Sequence, residues 1–238
     1  MKNISKVCFI VQARLNSERI PQKMIKPFCG STLTDLVLQK LLTCDIPKEQ
    51  IYLSVYEDEL KDIGKKYPIQ IWERSYESAN VDKGIQTLFD WWDKLPYEYV
   101  VMVSGCNPFL TQKTINNFTT IFLNSKNEGL FAVTENKNYF WDSNGNMLNQ
   151  WPEGQDLLNT KAVGITYEAA HCLYASRLDS IGKGKWVGDW KVKNDPELFP
   201  IKNPMEAFDI DYPWQFALAE NIFKLNDINH SIIINNYG

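Results

Sequence analysis

The sequence predicts an α/β fold: a mostly parallel central sheet, flanking helices and an inserted arm. Three observations carry this. Short apolar runs such as Val7-Cys8-Phe9-Ile10-Val11 and Tyr99-Val100-Val101-Met102-Val103 lack polar alternation, as expected of strands covered on both faces. Stretches with helical apolar spacing separate such runs, giving the order β-α-β-α-β-α-β-α-β. A cationic loop follows the first run, where Arg14, Arg19, Lys23 and Lys26 stand against Glu18 in a chain of net charge −4. Open α/β sheets bind ligands at the carboxyl ends of their strands. A cationic loop there suits an anion, most simply the phosphates of a nucleotide.

The elements follow in order. Ser31-Thr32 can cap a helix from Leu33 to Leu42, whose Leu33, Leu36, Val37, Leu41 and Leu42 form a stripe. Ile51-Tyr52-Leu53-Ser54-Val55 reads as a second strand and Asp58–Lys65 as a short helix, ended by Lys66-Tyr67-Pro68. Ile69–Trp72 reads as a third strand, and Gly84–Lys94 as a helix with Ile85, Leu88, Phe89 and Trp92 on one face. The strand Tyr99–Val103 runs into the turn Ser104-Gly105-Cys106-Asn107-Pro108. Thr111 opens a helix to Leu123, and Gly129–Val133 is a further strand. Residues 135–160 and 178–205 show no clear period, with a strand at Ala170–Ala175 between them. Phe208–Asp211 has strand alternation, and Pro213 begins a helix to Lys224. One domain over 1–238 is expected, with 135–205 as an inserted substrate or dimerisation subregion.

Composition narrows the function. With 238 residues, 44% hydrophobic and 23% charged, the chain can bury a sizeable core. A pI near 5.3 argues against a nucleic-acid partner. No apolar run is long enough to span a membrane. The apolar run after Lys6 is too short for a signal-peptide core, and Cys8, Cys29, Cys44, Cys106 and Cys172 are odd in number and scattered. Reduced thiols and a cytoplasmic location are therefore expected. The histidines, His171 and His230, have no zinc-type spacing with cysteine, and lone cysteines are more often core fillers than nucleophiles.

Along a strand at Phe208–Asp211, Phe208 and Ile210 would face the core, while Asp209 and Asp211 would project together. Paired carboxylates repel and call for a cation, and Mg²⁺ takes carboxylates together with substrate phosphates. Alternatively, Asp211 caps the next helix and Asp209 is a solvated edge residue.

These motifs resemble the CMP-sialic acid and CMP-Kdo synthetase group of cytidylyltransferases, of GT-A-like nucleotidyltransferase fold. Ala13, Arg14, Ser17, Arg19, Pro21 and Lys23 match the loop pattern A-R-x-x-S-x-R-x-P-x-K. Asp209-Ile210-Asp211 with Pro213, Phe216, Ala219 and Glu220 matches most of D-I-D-T-P-x-D-F-x-x-A-E, and Gln155-Asp156-Leu157 resembles a Q-D-L-P of the dimer arm. The resemblance implies CTP over the loop, in contact with Ala13, Arg14, Leu15, Asn16, Ser17 and Lys23, and with Arg74 and Ser104 nearby. It implies Mg²⁺ on Asp209 and Asp211, with Arg14, Lys23 and Asp211 serving catalysis. It also implies a homodimer, and transfer of CMP to an acidic acceptor of nonulosonic-acid type for surface polysaccharide, with release of pyrophosphate. Asn107, Gln155, Asp156, Lys161 and Arg177 are the candidate acceptor contacts, although charged residues are more often simply surface. Trp141, Trp151, Trp186 and Trp190 can stack on a ligand or bury area in the arm or a dimer contact.

The chain departs from the family pattern at four places. Leu15-Asn16 replaces Gly-Gly, Met24 replaces Asn, Ser104 and Cys106 replace polar or acidic turn residues, and Trp214-Gln215 replaces an acid. Two rivals remain: CMP transfer to a phosphorylated or phosphonate metabolite, and a non-catalytic nucleotide-binding protein. A GT-A glycosyltransferase is disfavoured because no Asp-x-Asp follows the fourth or fifth strand.

Overall fold

The computed structural model describes residues 1–81 and 83–228; His230 lies outside them. The described residues form one sheet of seven strands, in the order β3-β2-β1-β4-β6-β5-β7: β1 (Val7–Gln12), β2 (Ile51–Val55), β3 (Gln70–Glu73), β4 (Tyr99–Val103), β5 (Leu130–Asn136), β6 (Thr166–Arg177) and β7 (Glu197–Ile201). Strands β1 to β4 are mutually parallel and β5 is parallel to β7, while β6 runs antiparallel between β4 and β5.

Both faces of β1 are buried, as its unbroken apolar run requires. On one face Val7, Phe9 and Val11 pack with α1 (Leu33–Thr43), α2 (Asp58–Gly64), α5 (Gln112–Asn124) and α7 (Pro213–Ile228) through Val37, Leu60, Phe118 and Phe216. On the other, Cys8 and Ile10 meet Phe89, Trp91 and Leu95 together with Leu178 and Ile181 of α6 (Leu178–Gly182). Helices α1 and α5 begin as their caps dictate. Thr32 accepts from the Asp35 N–H and Thr111 from the Thr114 N–H.

Four expectations need correcting. The helix over 84–94 is only α4 (Ile85–Leu88), which follows α3 (Tyr76–Asn80). The Leu88 carbonyl, which would continue it, instead accepts from Ser78 Oγ at 2.9 Å, Gln12 Nε2 at 3.3 Å and Arg74 at 3.5 Å. The Trp92 N–H turns back to Phe89. Phe208–Asp211 joins no ladder; its Ile210 N–H donates instead to the Cys106 carbonyl in the turn after β4. Strand β7 was not expected; Pro200 disguises it, and proline is tolerated in an edge strand. Finally, β6 and β7 place parts of 135–205 inside the main sheet, leaving 137–165 as the arm.

The β4–α5 turn is fixed from below. Lys40 of α1 donates to the carbonyls of Asn107 at 3.4 Å and Pro108 at 2.5 Å. Glu206 accepts from the Thr111 N–H at 2.9 Å and its hydroxyl at 2.8 Å. Gly105 leaves room for Met24: a Cβ there would lie 2.5 Å from the Met24 methyl.

Burial lowers the Lys40 ammonium from 10.5 to about 8, opposed by Glu206 and Cys44. Below about 8 the lysine is protonated whether the chain is folded or not. Between about 8 and 10.5 the unfolded chain holds the extra proton, so this residue makes stability rise with pH. The buried thiols and phenols have raised values and act in the opposite sense, so a comparison with a variant is needed. Urea midpoints of the wild type relative to Lys40→Met are expected to increase from pH 8 to pH 10.5; a difference independent of pH refutes this assignment.

Candidate active site

Three segments meet at the carboxyl ends of β1 and β4: the loop after β1, the turn after β4, and the extended run into α7. The loop is tied down at its start, where the Ala13 N–H donates to Ser54 O at 3.1 Å and the Leu15 N–H to Glu57 Oε1 at 2.9 Å. It then curls back, with the Ser17 and Gln22 N–H groups both donating to Leu15 O, at 2.8 and 3.2 Å. Ile20, Met24 and Phe28 are buried beneath it. This explains two of the departures: Met24 is core under Gly105, and Leu15 is half-buried against the same cluster. Arg14 and Asn16 are exposed on the outer side and Ser17 is half-buried. Arg14 reaches the Ala79 carbonyl at 3.5 Å.

Lys23 points inward and is only 8% exposed. Its ammonium donates to the Ile210 carbonyl and stands 3.5 Å from Asp211 Oδ1. Arg19 reaches the same carboxylate oxygen at 2.9 Å while lying over the Tyr212 ring at 5.0 Å. Asp211 is fixed through its backbone: its N–H and that of Tyr212 both donate to Gln215 Oε1, at 2.7 and 2.8 Å. The Ile210 N–H donates to Cys106 O at 3.0 Å, joining the aspartate segment to the β4 turn. In that turn Ser104 Oγ accepts from the Cys106 N–H at 3.1 Å.

Asp209 is the least satisfied group at this junction. Its Oδ1 is buried with no hydrogen-bond partner among the described residues. Burial raises its carboxyl above the usual range and Asp211 adds to the effect; Lys23, His171 and Arg19 oppose it. A buried, unpaired carboxylate oxygen beside a second carboxylate fits a divalent cation. Among the described residues no group of three or more His, Cys, Asp or Glu could hold a metal, so protein ligation rests on this pair.

Arg74 is buried, and its donors serve the loop. They reach Ser78 Oγ at 3.0 Å, Ala13 O at 3.4 Å, Leu88 O at 3.5 Å and the Ser78 carbonyl. Burial lowers its guanidinium from 12.5 to about 10, which leaves it charged at neutral pH. Asn107 is 2% exposed, and both polar atoms of its side chain lack partners among the described residues.

The remaining acceptor candidates stand apart. Arg177 is corrected: β4 and β6 are antiparallel, so it pairs with Tyr99 at the opposite end of the sheet, where it contacts Asp179 at 2.7 Å and Glu128 at 3.6 Å. Gln155, Asp156 and Lys161 lie in the arm, where the Gln155 carbonyl accepts from Trp151 at 2.6 Å and the Lys161 N–H donates to Asn159 at 3.0 Å. Among the described residues, no hydrogen bond or ion pair joins their side chains to the loop, the turn or the aspartates.

Two contributors escaped the sequence reading. Gln215 sits three residues after the cap position Tyr212, a capping-box spacing that could have revealed it. His171 lies within electrostatic reach of Asp209 on a bulged part of β6 with φ of 51°. No local sequence signal marks that bulge.

A family model described as cytidylyltransferase matches residues 8–234. No curated protein sequence matches the chain. Among solved structures, CMP:2-keto-3-deoxy-manno-octonic acid synthetase complexed with CTP aligns at TM-score 0.66 and 11% identity, over 93% of this chain and 99% of that one. A cytidylyltransferase from Leptospira borgpetersenii aligns at TM-score 0.59 and 16% identity, over 97% and 98%. The 4-diphosphocytidyl-2C-methyl-D-erythritol synthase from Anaerococcus prevotii aligns at TM-score 0.60 and 14% identity, over 93% and 98%. At such identities these likenesses are of fold. The family model spans nearly the whole sequence, from β1 through the aspartate segment into α7, and on that match the chain belongs to the cytidylyltransferase family.

Proposed function

We propose that this cytidylyltransferase moves CMP from CTP onto an acidic small-molecule acceptor of nonulosonic-acid type, releasing pyrophosphate, in surface-polysaccharide synthesis. The observation that carries the reading is the meeting of Asp209 and Asp211 with Lys23 and Arg19 where the loop, the β4 turn and α7 converge. Such transfer depends on positioning and charge neutralisation more than on covalent chemistry. Arg19 supplies a mobile cation for the triphosphate, Lys23 a buried and fixed one, and Arg14 adds a third on the exposed side of the loop. Asp209 and Asp211 would hold Mg²⁺, which neutralises phosphate charge when bound. Arg74 acts as a positioning residue, fixing the Ala13 carbonyl beneath the nucleotide.

The acceptor side is the open end of this proposal. Ser104 and Asn107 lie in the β4 turn, and the arm brings Gln155, Asp156 and Lys161. The arm also exposes Leu148, Trp151, Leu157 and Leu158, which suits a homodimer contact. Acidic composition and an odd, scattered set of cysteines agree with a cytoplasmic setting. A phosphorylated acceptor is the second reading, favoured by the fold shared with the diphosphocytidyl-methylerythritol synthase.

CTP with Mg²⁺ and an acidic acceptor should release pyrophosphate, and ³¹P spectra should show a phosphodiester rather than a pyrophosphate-linked product. Asp211→Ala should lower kcat by about 100-fold or more. Full activity in that variant rules out the metal assignment to Asp211, and turnover only with phosphorylated acceptors rules out the first reading.

Arg74→Lys keeps a charge but loses the fork that spans Ala13, Ser78 and Leu88. It should raise the KM for CTP by about tenfold, with a smaller effect on kcat. An unchanged KM would remove Arg74 from the nucleotide side.

A further inference from the structure

We infer that Arg19 and Lys23 form an ionic clamp on Asp211 that keeps a divalent cation from settling at the aspartate pair alone, so that metal enters together with the triphosphate. This rests on the reading of Asp209 and Asp211 as metal ligands.

Both cations converge on one oxygen, Asp211 Oδ1, at 2.9 Å from Arg19 and 3.5 Å from Lys23. Gln215 holds the backbone N–H of Asp211 and of Tyr212, which fixes the point from which the carboxylate projects. The clamp is anchored on both sides. Lys23 is bonded to the Ile210 carbonyl and interacts with the Cys106 thiol, and Arg19 lies on the Tyr212 ring. A divalent ion approaching the pair meets two positive charges already seated on one of its two carboxylates. Asp209 is therefore a poor site by itself, since Mg²⁺ parts with water reluctantly and needs more than one protein ligand or a phosphate.

A triphosphate changes this balance. It offers Arg19 and Lys23 a more highly charged partner, and Arg19, half-exposed on a long side chain, can exchange without repacking the core. Once Arg19 moves to phosphate and Lys23 shares its charge with it from where it stands, the Asp211 oxygen is released and the phosphates complete the metal's ligand set. Linkage makes the effect reciprocal: nucleotide tightens metal binding and metal tightens nucleotide binding by the same factor.

Water-proton relaxation enhancement by Mn²⁺ distinguishes protein-bound metal from metal bound only to nucleotide. With no acceptor present, it can be read without turnover. Wild-type protein should bind Mn²⁺ weakly alone and far more tightly with CTP. Arg19→Gln should bind Mn²⁺ alone about threefold to tenfold more tightly than wild type. Lys23→Gln should do the same, and circular dichroism should confirm that both variants are folded. Unchanged Mn²⁺ affinity in folded Arg19→Gln overturns the clamp, as does wild-type affinity that CTP does not alter. Asp211→Asn measured with CTP separates the two layers. A loss of Mn²⁺ binding there supports the metal assignment whatever Arg19→Gln does, and no loss overturns that assignment and the clamp with it.

Discussion

Asp209 and Asp211 are two carboxylates on alternate residues of one extended segment, and the geometry of the site follows from neutralising them. Neither can be moved away, because Ile210 between them is fully buried and its N–H is bonded to the β4 turn. Charge must therefore be brought to them. The loop after β1 brings it with Arg19 and Lys23, which fixes that loop's path: Ile20, Met24 and Phe28 anchor it inward so that the cations reach Asp211.

The supporting contacts act at one remove. Arg74 and Glu57 hold the first residues of the loop through Ala13 and Leu15, and neither directs its named hydrogen bonds at the aspartates. Lys40 and Glu206 fix the ends of the β4 turn from α1 and from the run before Asp209. Each is a charged group wholly or partly removed from water, and each offsets that cost by bonding backbone atoms that would otherwise be unpaired. The Leu88 carbonyl shows the same economy in reverse. It serves Gln12, Ser78 and Arg74, and α4 stops where that carbonyl is taken.

What was legible in the sequence was whatever has a local signature. Uninterrupted apolar runs marked β1, β2 and β4, cap residues marked α1 and α5, and alternating Asp residues marked the acidic pair. What was hidden depends on distant partners. Phe208–Asp211 alternates like a strand, but its Ile210 N–H is taken by the distant Cys106 carbonyl and the segment joins no sheet. Arg177 looked like an anion ligand by charge alone, and the antiparallel direction of β6 sends it to the wrong end of the sheet. Met24 looked like a lost polar contact, whereas its methyl fills the space that Gly105 leaves.

The same reasoning separates the nucleotide half of the site from the acceptor half. The proposed nucleotide half is held by the fold, so its residue types are constrained by folding as well as by ligand: Ala13 and Lys23 of the loop and Arg74 after β3 are all buried and all bonded or packed. The acceptor candidates Asp156 and Lys161 are exposed on an arm without helix or strand between β5 and β6. Few folding contacts hold such residues, so their identities can follow the acceptor with little cost to stability. Asn107 is the exception among them, because its side chain is buried and without hydrogen-bond partners among the described residues. A group that costs stability where it stands is better explained by a demand of the site than by packing, and under the proposed function the β4 turn, more than the arm, is where acceptor binding and the fold would constrain each other.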